Sequence, residues 1–365
     1  MTESKSPLSK LDDADHEWLT RTLTANGHLL RGRAVKVTHA PWKRSTYSYI
    51  ARLRVEYAAD AAGNNGVALP AALVLKFNQP IGAIRRSPEF AHREYEFYRW
   101  IAPAMRGLLT PRCYDAVFES RSGRYHFLLE DLSATHTHPV NPLPPSLSDF
   151  ELIVTCLARL HAAWWNDPRI GVKIGKPFLE ERSSRRALTI QKRMNRFITF
   201  AGDRISDAHR HVLLNLCAVY PRLLAQQQAH PLTIIHGDAH FENFVIASGK
   251  ADCRIIDWEN WELAPATDDL AYLMAVLWFG GWRREAALAL LRRYHDTLIA
   301  SGVREYSWDA LWDSYRMSVV KQLCTPVYQW GNGVVPAIWW NNLERVLSAY
   351  EDLGGAQIMQ QLQNG

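Results

Sequence analysis

The sequence predicts an α+β fold in which a small antiparallel sheet is followed by a mainly helical unit. Three observations predict it. Apolar residues at strand spacing, such as Tyr49, Ala51, Leu53 and Val55, are concentrated before residue 133. A connector holding Pro139, Pro142, Pro144 and Pro145 follows. Beyond residue 148 the apolar spacing turns helical, with one short β interlude around 233–258. The expected divisions are an N-terminal unit over 1–132, a linker over 133–147 and a C-terminal unit over 148–365.

Residues 8–26 have helical spacing, with Leu11, Trp18 and Leu19 on one face and Asn26-Gly27 closing the segment. Strand runs follow at 28–38, 46–57 and 71–77, the last two separated by a polar turn at 60–65. A helix is expected over 88–102, with Ser87 as its cap, Pro88 in its first turn and Pro103 as its stop. Two more strands, 113–119 and 125–132, are joined by Ser120-Arg121-Ser122-Gly123. Helices are then expected over 148–165, 181–201, 206–228 with a kink or break at Pro221, 266–279, 283–301, 307–323 and 337–353. There is no internal repeat.

An apolar share of 47% in 365 residues excludes a disordered chain, and 20 Gly with 18 Pro is too little for low complexity. A chain this long buries roughly three quarters of its unfolded surface. The formal charge of +5 is too mild for a nucleic-acid coat. Cys113, Cys156, Cys217, Cys253 and Cys324 form no CxxC pair, which argues against a disulfide framework or structural zinc. The first twenty residues carry charges where a signal peptide needs an apolar stretch. The longest uncharged run, Gln322 to Leu343, contains two prolines and reads as a buried aromatic segment rather than a membrane span. A cytoplasmic protein with no nucleic-acid or membrane partner is expected; the oligomeric state is left open.

The β interlude reads LTIIHGDAHFENFVIASGKADCRIIDWE. A hairpin built from 244–247 and 253–256 brings Asn243, just before its first strand, near Asp257, just after its second. Hard divalent cations take such oxygen ligands, and Mg²⁺ takes one or two carboxylates plus phosphate oxygens. Asp238 stays close without needing to be a ligand, and can accept or orient the proton of an attacking hydroxyl.

HGDAHFEN followed by IIDWE and DDLAYL resembles the aminoglycoside phosphotransferase and choline kinase-like family, whose ecdysteroid kinase-like branch is one placement for this chain. The resemblance implies a protein kinase-like two-lobed fold, with an N-terminal nucleotide-binding lobe and a C-terminal catalytic and substrate-binding lobe. It implies ATP, with GTP as the alternative, and Mg²⁺ as cofactors, and a hydroxyl of a small molecule as acceptor. Residue by residue, Lys76 in ALVLKF matches the lysine on the α- and β-phosphates, and Glu94 its ion-pair partner, with Glu96 a competing choice. LLEDL, with Glu130 and Leu132, resembles the hinge that bonds adenine, and LARLHAAWW the helix under the catalytic loop. Asp238 becomes the catalytic aspartate, Asn243 and Asp257 the Mg²⁺ ligands, and Asp269 a brace for the catalytic loop. The chain departs from the family between its first two strands, where Pro41 to Ser48 holds no glycine. There the amides of Ser45 to Tyr47, or the hydroxyls of Ser45 and Thr46, are left to cap the phosphates, with Lys43 or Arg44 adding charge.

Other readings stand beside this one. HGDAH contains HxDxH, the mark of a metal-dependent hydrolase, but zinc needs three converging ligands and no other spacing supplies them. A nucleotide-binding pseudokinase fits the glycine-free loop, while intact Lys76, Asp238, Asn243 and Asp257 oppose it. An antibiotic kinase would want an acidic C-terminal pocket; residues 258–365 are instead rich in Trp and Tyr, which favours a neutral or aromatic-cage-bound alcohol. Trp330, Trp339 and Trp340 are candidates for that pocket. His236 reads as a buried structural histidine, and His240 as loop structure or a substrate contact. Glu259 and Glu262 lie on the substrate side or are plain solvated surface.

Overall fold

A computed structural model describes residues 6–44, 48–64, 67–78, 88–105, 107, 109–139, 145–175 and 180–364, the side chains of 41–44 and 180–184 excepted. Ser45, Thr46, the Ser87 cap, Pro142 and Pro144 lie outside the described residues. The chain divides into two compact units, residues 1–137 together with 247–260, and residues 138–246 together with 261–365.

The N-terminal unit opens with helix α1, His16–Ala25. It starts later than the apolar spacing suggests because Asp15, in extended conformation, accepts the Trp18 N–H at 2.7 Å and so defines the first turn. Strands β1 (Leu29–Arg31) and β2 (Ala34–Arg44) replace the single run expected over 28–38. Gly32 separates them at φ +77°, where a Cβ would meet the Ala61 Cα at 2.5 Å. The expected polar turn carries a two-residue strand, β4 (Ala62–Gly63), paired with β1.

Strands β3 (Ser48–Tyr57), β5 (Ala72–Asn78), β6 (Cys113–Glu119) and β7 (Arg124–Glu130) join β2 in an antiparallel sheet ordered β2-β3-β5-β7-β6. The period of two sorts β5 cleanly: Leu73, Leu75 and Phe77 enter a core with Leu53, Val55, Leu128 and the α1 residues Leu19 and Leu23. Lys76 therefore falls on the opposite face. Helix α2 (Pro88–Glu96) runs on as a π turn, Phe97–Ile101, and a 3-10 turn, Ala102–Ala104, that contains Pro103. The expected extent is thus a change of helix type rather than one α-helix.

The C-terminal unit holds α3 (Leu147–Ala163), α4 (Glu180–Ala201), α5 (Asp207–Gln228), α6 (Thr267–Ala271), α7 (Gly280–Ala300), α8 (Trp308–Gln322), α9 (Thr325–Gly331), α10 (Pro336–Asp352) and α11 (Gly355–Asn364). Ser146 and Asp149 close a capping box on α3. Helix α5 passes through Pro221 without a break. Buried Val219, Tyr220, Leu223 and Leu224 hold both sides of the proline in the core, which offsets the missing amide donor. That core gathers α4, α5, α8, α9, α10 and α11 around Met194, Phe197, Leu216, Val320 and Leu343. Two elements absent from the sequence reading, α9 and α11, contribute Val327, Ile358, Met359 and Leu362 to it.

Strand β9 (Leu232–Ile235) pairs antiparallel with a further unexpected element, β12 (Glu262–Pro265). Between them lie a 3-10 turn, Phe241–Asn243, and strands β10 (Phe244–Ala247) and β11 (Cys253–Ile255), while the two-residue β8 (His136–Thr137) precedes α3. The turn joining those strands is closed by the Ala247 N–H on the Asp252 carbonyl at 2.9 Å. No described helix is long and apolar enough to cross a membrane.

Candidate active site

In the N-terminal unit, Lys76 stands on the central strand β5 with only 7% of its surface exposed. Its Nζ donates to Glu94 Oε2 at 2.7 Å, Glu94 Oε1 at 2.9 Å and Asp257 Oδ1 at 2.7 Å, and lies 3.9 Å from Glu259 Oε2. Burial works to lower the lysine's pKa, but Asp257 and then Glu94 outweigh it, so the value is raised and the ammonium stays charged. Glu96 is not the partner: it lies one helical turn from His92, 3.5 Å from its Nδ1.

The segment that carries Asp257 is pinned from three directions. The Ile255 N–H donates to the Leu109 carbonyl at 2.8 Å. Trp258 is fully buried, donates through Nε1 to Thr110 Oγ1 at 3.0 Å and to the Ile255 carbonyl at 3.1 Å, and stacks on Phe97 with ring centroids 3.7 Å apart. Phe97 follows Glu94 by three residues, so one helical face supplies both the partner of Lys76 and the anchor of Trp258. Asp257 itself sits at φ +64°, a conformation that Asp tolerates better than most residues and that clusters at functional sites.

Glu259, which the sequence leaves between the substrate side and solvated surface, lies with the Lys76 group. Among the described residues, Glu94, Asp257 and Glu259 are the one grouping of three acidic, His or Cys side chains close enough to share a metal ion, with ligand atoms within 4.8 Å of one another. The HGDAH histidines are not in it. Glu130 uses its amide on the Arg112 carbonyl at 2.8 Å and its carboxylate on the Arg112 amide at 3.0 Å. The Leu132 carbonyl accepts the amides of Thr135 and His136.

In the C-terminal unit, the turn after β9 presents Asp238, whose side chain is about one third exposed (32%). Gly237 precedes it at φ +76°, a backbone shape that a side chain would strain. Fully buried Asp269 braces this turn. It accepts the His236 amide at 2.7 Å, the Gly237 amide at 2.9 Å and His161 Nε2 at 3.2 Å, while His161 Nδ1 meets the Tyr294 hydroxyl at 2.8 Å. Burial works to raise the Asp269 pKa, but the bond and charge of His161, followed by those of His236, bring it below the usual carboxylate range.

Asn243 is 5% exposed and donates Nδ2 to the Asp238 carbonyl at 2.9 Å, which leaves Oδ1 as the atom able to ligate a cation. His236 is buried, and His240 lies with Nε2 3.7 Å from Asp238 Oδ2. Glu262 faces Arg186 at 3.5 Å. Burial, and then the Asp238 charge, push the phenol of Tyr272 in the DLAYL segment well above its ordinary pKa. Trp339 is core; with Trp330 it packs around Phe197 and Phe200 at centroid distances of 5.1–6.1 Å.

The fold is shared with solved kinases of small molecules. A Ralstonia eutropha JMP134 protein assigned as an aminoglycoside phosphotransferase superposes with a TM-score of 0.56 at 14% identity, covering 95% of this chain and 98% of its own. Choline kinase from Cryptosporidium parvum Iowa II gives 0.56 at 11% identity, covering 89% and 91%. A mutant aminoglycoside 2′-phosphotransferase IIIa, solved with GDP, gives 0.52 at 13% identity, covering 88% and 92%. The architecture is that of a protein kinase-like fold, with a sheet N-terminal part and a helical C-terminal part. No curated protein matches by sequence. The ecdysteroid kinase-like family model matches residues 45–303, and the chain belongs to that family.

Proposed function

We propose that this chain is a Mg²⁺-dependent phosphotransferase that moves the γ-phosphoryl group of ATP, or of GTP, to a hydroxyl of a small organic molecule. The observation that carries the reading is the buried Lys76–Glu94 pair with Asp257 on the same ammonium, since phosphoryl transfer needs a fixed cation beside the phosphates. Glu94 holds Lys76 extended so that its charge meets the nucleotide's α- and β-phosphates. Asp257 and Asn243 offer oxygen atoms suited to a hard cation and would hold Mg²⁺, which when bound draws charge from the phosphates. Asp238 orients the acceptor hydroxyl and takes its proton as the bond to phosphorus forms. Asp269 keeps the His236-Gly237-Asp238 turn from moving while this happens. Glu130 to Leu132 would hold the base through backbone atoms, and Ser45 and Thr46 would cap the phosphates.

The acceptor we favour is a neutral or aromatic-cage-bound alcohol, supported by the Trp and Tyr content of residues 258–365, although Trp339 itself is core. The hydrolase reading loses support because, among the described residues, the grouping close enough to share a metal ion contains neither HGDAH histidine. The test is a thermal-shift titration with ATP and GTP, with and without Mg²⁺, on wild type and Asp257→Ala. Ligand at a hundred times its Kd adds about 2.7 kcal/mol. A Mg²⁺-dependent rise that shrinks in the variant is the expected result. No response to either nucleotide overturns the proposal.

A further inference from the structure

Strands β1 and β4 pair with Leu29 opposite Gly63, which sets His28, one residue before β1, beside Asn64, one residue after β4. The segment 67–70 is held at both ends. The Val67 N–H donates to the Asn64 carbonyl at 2.9 Å, and the Tyr57 hydroxyl donates to the Pro70 carbonyl at 3.1 Å. With Arg112 and Tyr114 at the start of β6, these residues line a pocket of about 280 Å³. At roughly 30 Å³ per water, that is room for about nine water molecules. Tyr114 and Leu69 pack with Leu73, Leu75 and α1, so the pocket lies on the face of the sheet opposite Lys76.

One wall, Val67 to Pro70, is largely apolar. Across the polar part, His28 and Tyr114 meet edge to face with ring centroids 4.9 Å apart. Arg112 bonds the protein through its backbone, its amide on Glu130 Oε2 at 3.0 Å and its carbonyl on the Glu130 amide at 2.8 Å. Its guanidinium has no hydrogen-bond partner among the described residues. A guanidinium offers donors in a planar fork and no acceptor, a shape that a carboxylate answers with two parallel bonds.

Arg112 is also the one charged side chain in the lining. Burial, and then the Arg112 charge, lower the His28 pKa against the pull of Asp115, so the imidazole is neutral at neutral pH. Burial raises the Tyr114 pKa, against Arg112 and with Glu130, so the phenol keeps its proton. Those two carboxylates are engaged outside the pocket. Asp115 accepts from Asn26 Nδ2 at 2.9 Å and faces His126 Nε2 at 3.0 Å, while Glu130 holds the Arg112 amide and lies 3.9 Å from Arg254 Nη1.

We propose that this pocket binds a small organic carboxylate, with its oxygens on the Arg112 guanidinium and its apolar body against the wall formed by Val67, Leu69 and Pro70. A single cation suits a monoanion better than a phosphate dianion, and the apolar wall suits a ring or short alkyl chain better than an inorganic ion. The site uses none of Lys76, Asp238 or Asp257 and is independent of the phosphotransferase reading.

The test is a ligand-observed NMR titration of the full chain with benzoate and hexanoate, and with benzamide as the uncharged counterpart of benzoate. Saturable binding of at least one carboxylate is expected, with benzamide far weaker than benzoate. Arg112→Gln keeps the backbone bonds to Glu130 but removes the charge, and should weaken the carboxylate about tenfold to a hundredfold, the range for hydrogen bonds to a charged group. Ala68→Trp fills the pocket from its apolar wall and should abolish binding without touching a charge. Ala68 is exposed, so this variant reads the pocket independently of any effect of Arg112→Gln on folding. Binding retained at full strength in either variant overturns the proposal, as does benzamide equal to benzoate. Absence of binding by both carboxylates overturns it as well.

Discussion

The two acidic centres of this molecule are held by opposite means. Around Lys76 the carboxylates of Glu94, Asp257 and Glu259 share one ammonium, so charge is balanced against charge in a buried space. Around Asp269 the carboxylate meets two backbone amides and an imidazole, and Asp238 has His240 Nε2 at 3.7 Å, with no lysine or arginine among their described partners. The difference fits the two tasks we propose for them. A centre that receives a polyanion needs a cation whose neighbours can be exchanged for phosphate and metal. A centre that guides one proton needs a fixed geometry and donors that do not leave.

The largest expected effect separates the two directly. Asp238→Asn keeps the volume but removes the proposed proton acceptor, and turnover should fall about 10²- to 10⁴-fold. The Mg·ATP-induced rise in melting temperature should survive in that variant. A variant that loses nucleotide binding along with turnover would break the division of labour.

Next comes the stability of the charge-balanced centre. Lys76→Met leaves Glu94, 1% exposed, buried without its ammonium, and urea unfolding should show a loss of about 3–5 kcal/mol. Lys76→Met combined with Glu94→Leu should recover much of that, because two apolar groups replace two ions. Failure of the pair to recover would mean that the geometry, not the charge, is what Lys76 supplies.

The parts of both centres that were legible in the sequence are those set by local rules. Period-two alternation puts Lys76 opposite Leu75 and Phe77, and the strands Phe244–Ala247 and Cys253–Ile255 fall on the apolar runs read from the sequence. The rest depends on contacts between residues far apart in the chain. Gln329 and Asn342 lie in a stretch that reads only as a buried aromatic run, and nothing local marks the Asn342 amide as the donor to Gln329. Strand β12 escaped notice because Glu262 and Pro265 are poor strand residues, held in place by the β9 ladder. Helices α9 and α11 are too short for their periodicity to stand out, yet both bury apolar faces in the larger core.

The neutral-donor centre makes its own prediction in acid. Asp269 has a folded-state pKa below its ordinary value, so the stability it contributes is present above about pH 4 and is lost as pH falls through the folded value. Asp269→Asn should lower stability by about 1.5–3 kcal/mol at neutral pH, the range for a hydrogen bond to a charged group. The gap between wild type and variant should then close below pH 4. A gap that stays constant from pH 7 to pH 3 would mean that Asp269 acts by shape alone.

The smallest effect is expected at Thr110, and it sharpens the comparison because it touches the anchor of Asp257 without touching a charge. Thr110→Val removes the oxygen that accepts from Trp258 Nε1, but the indole keeps the Ile255 carbonyl at 3.1 Å and its stack on Phe97. The loss in unfolding free energy should be about 1 kcal/mol or less. What decides the matter is the nucleotide response. If Trp258 merely fills the core, the Mg·ATP-induced melting shift is unchanged. If the three-point anchor sets the position of Asp257, the shift shrinks in Thr110→Val and shrinks further in Phe97→Leu, which removes the stack. Since Glu94 and Phe97 share one helical face, the second variant would also loosen the Lys76 pair, so the charge-balanced centre would prove to be held by an aromatic contact and not by its ions alone.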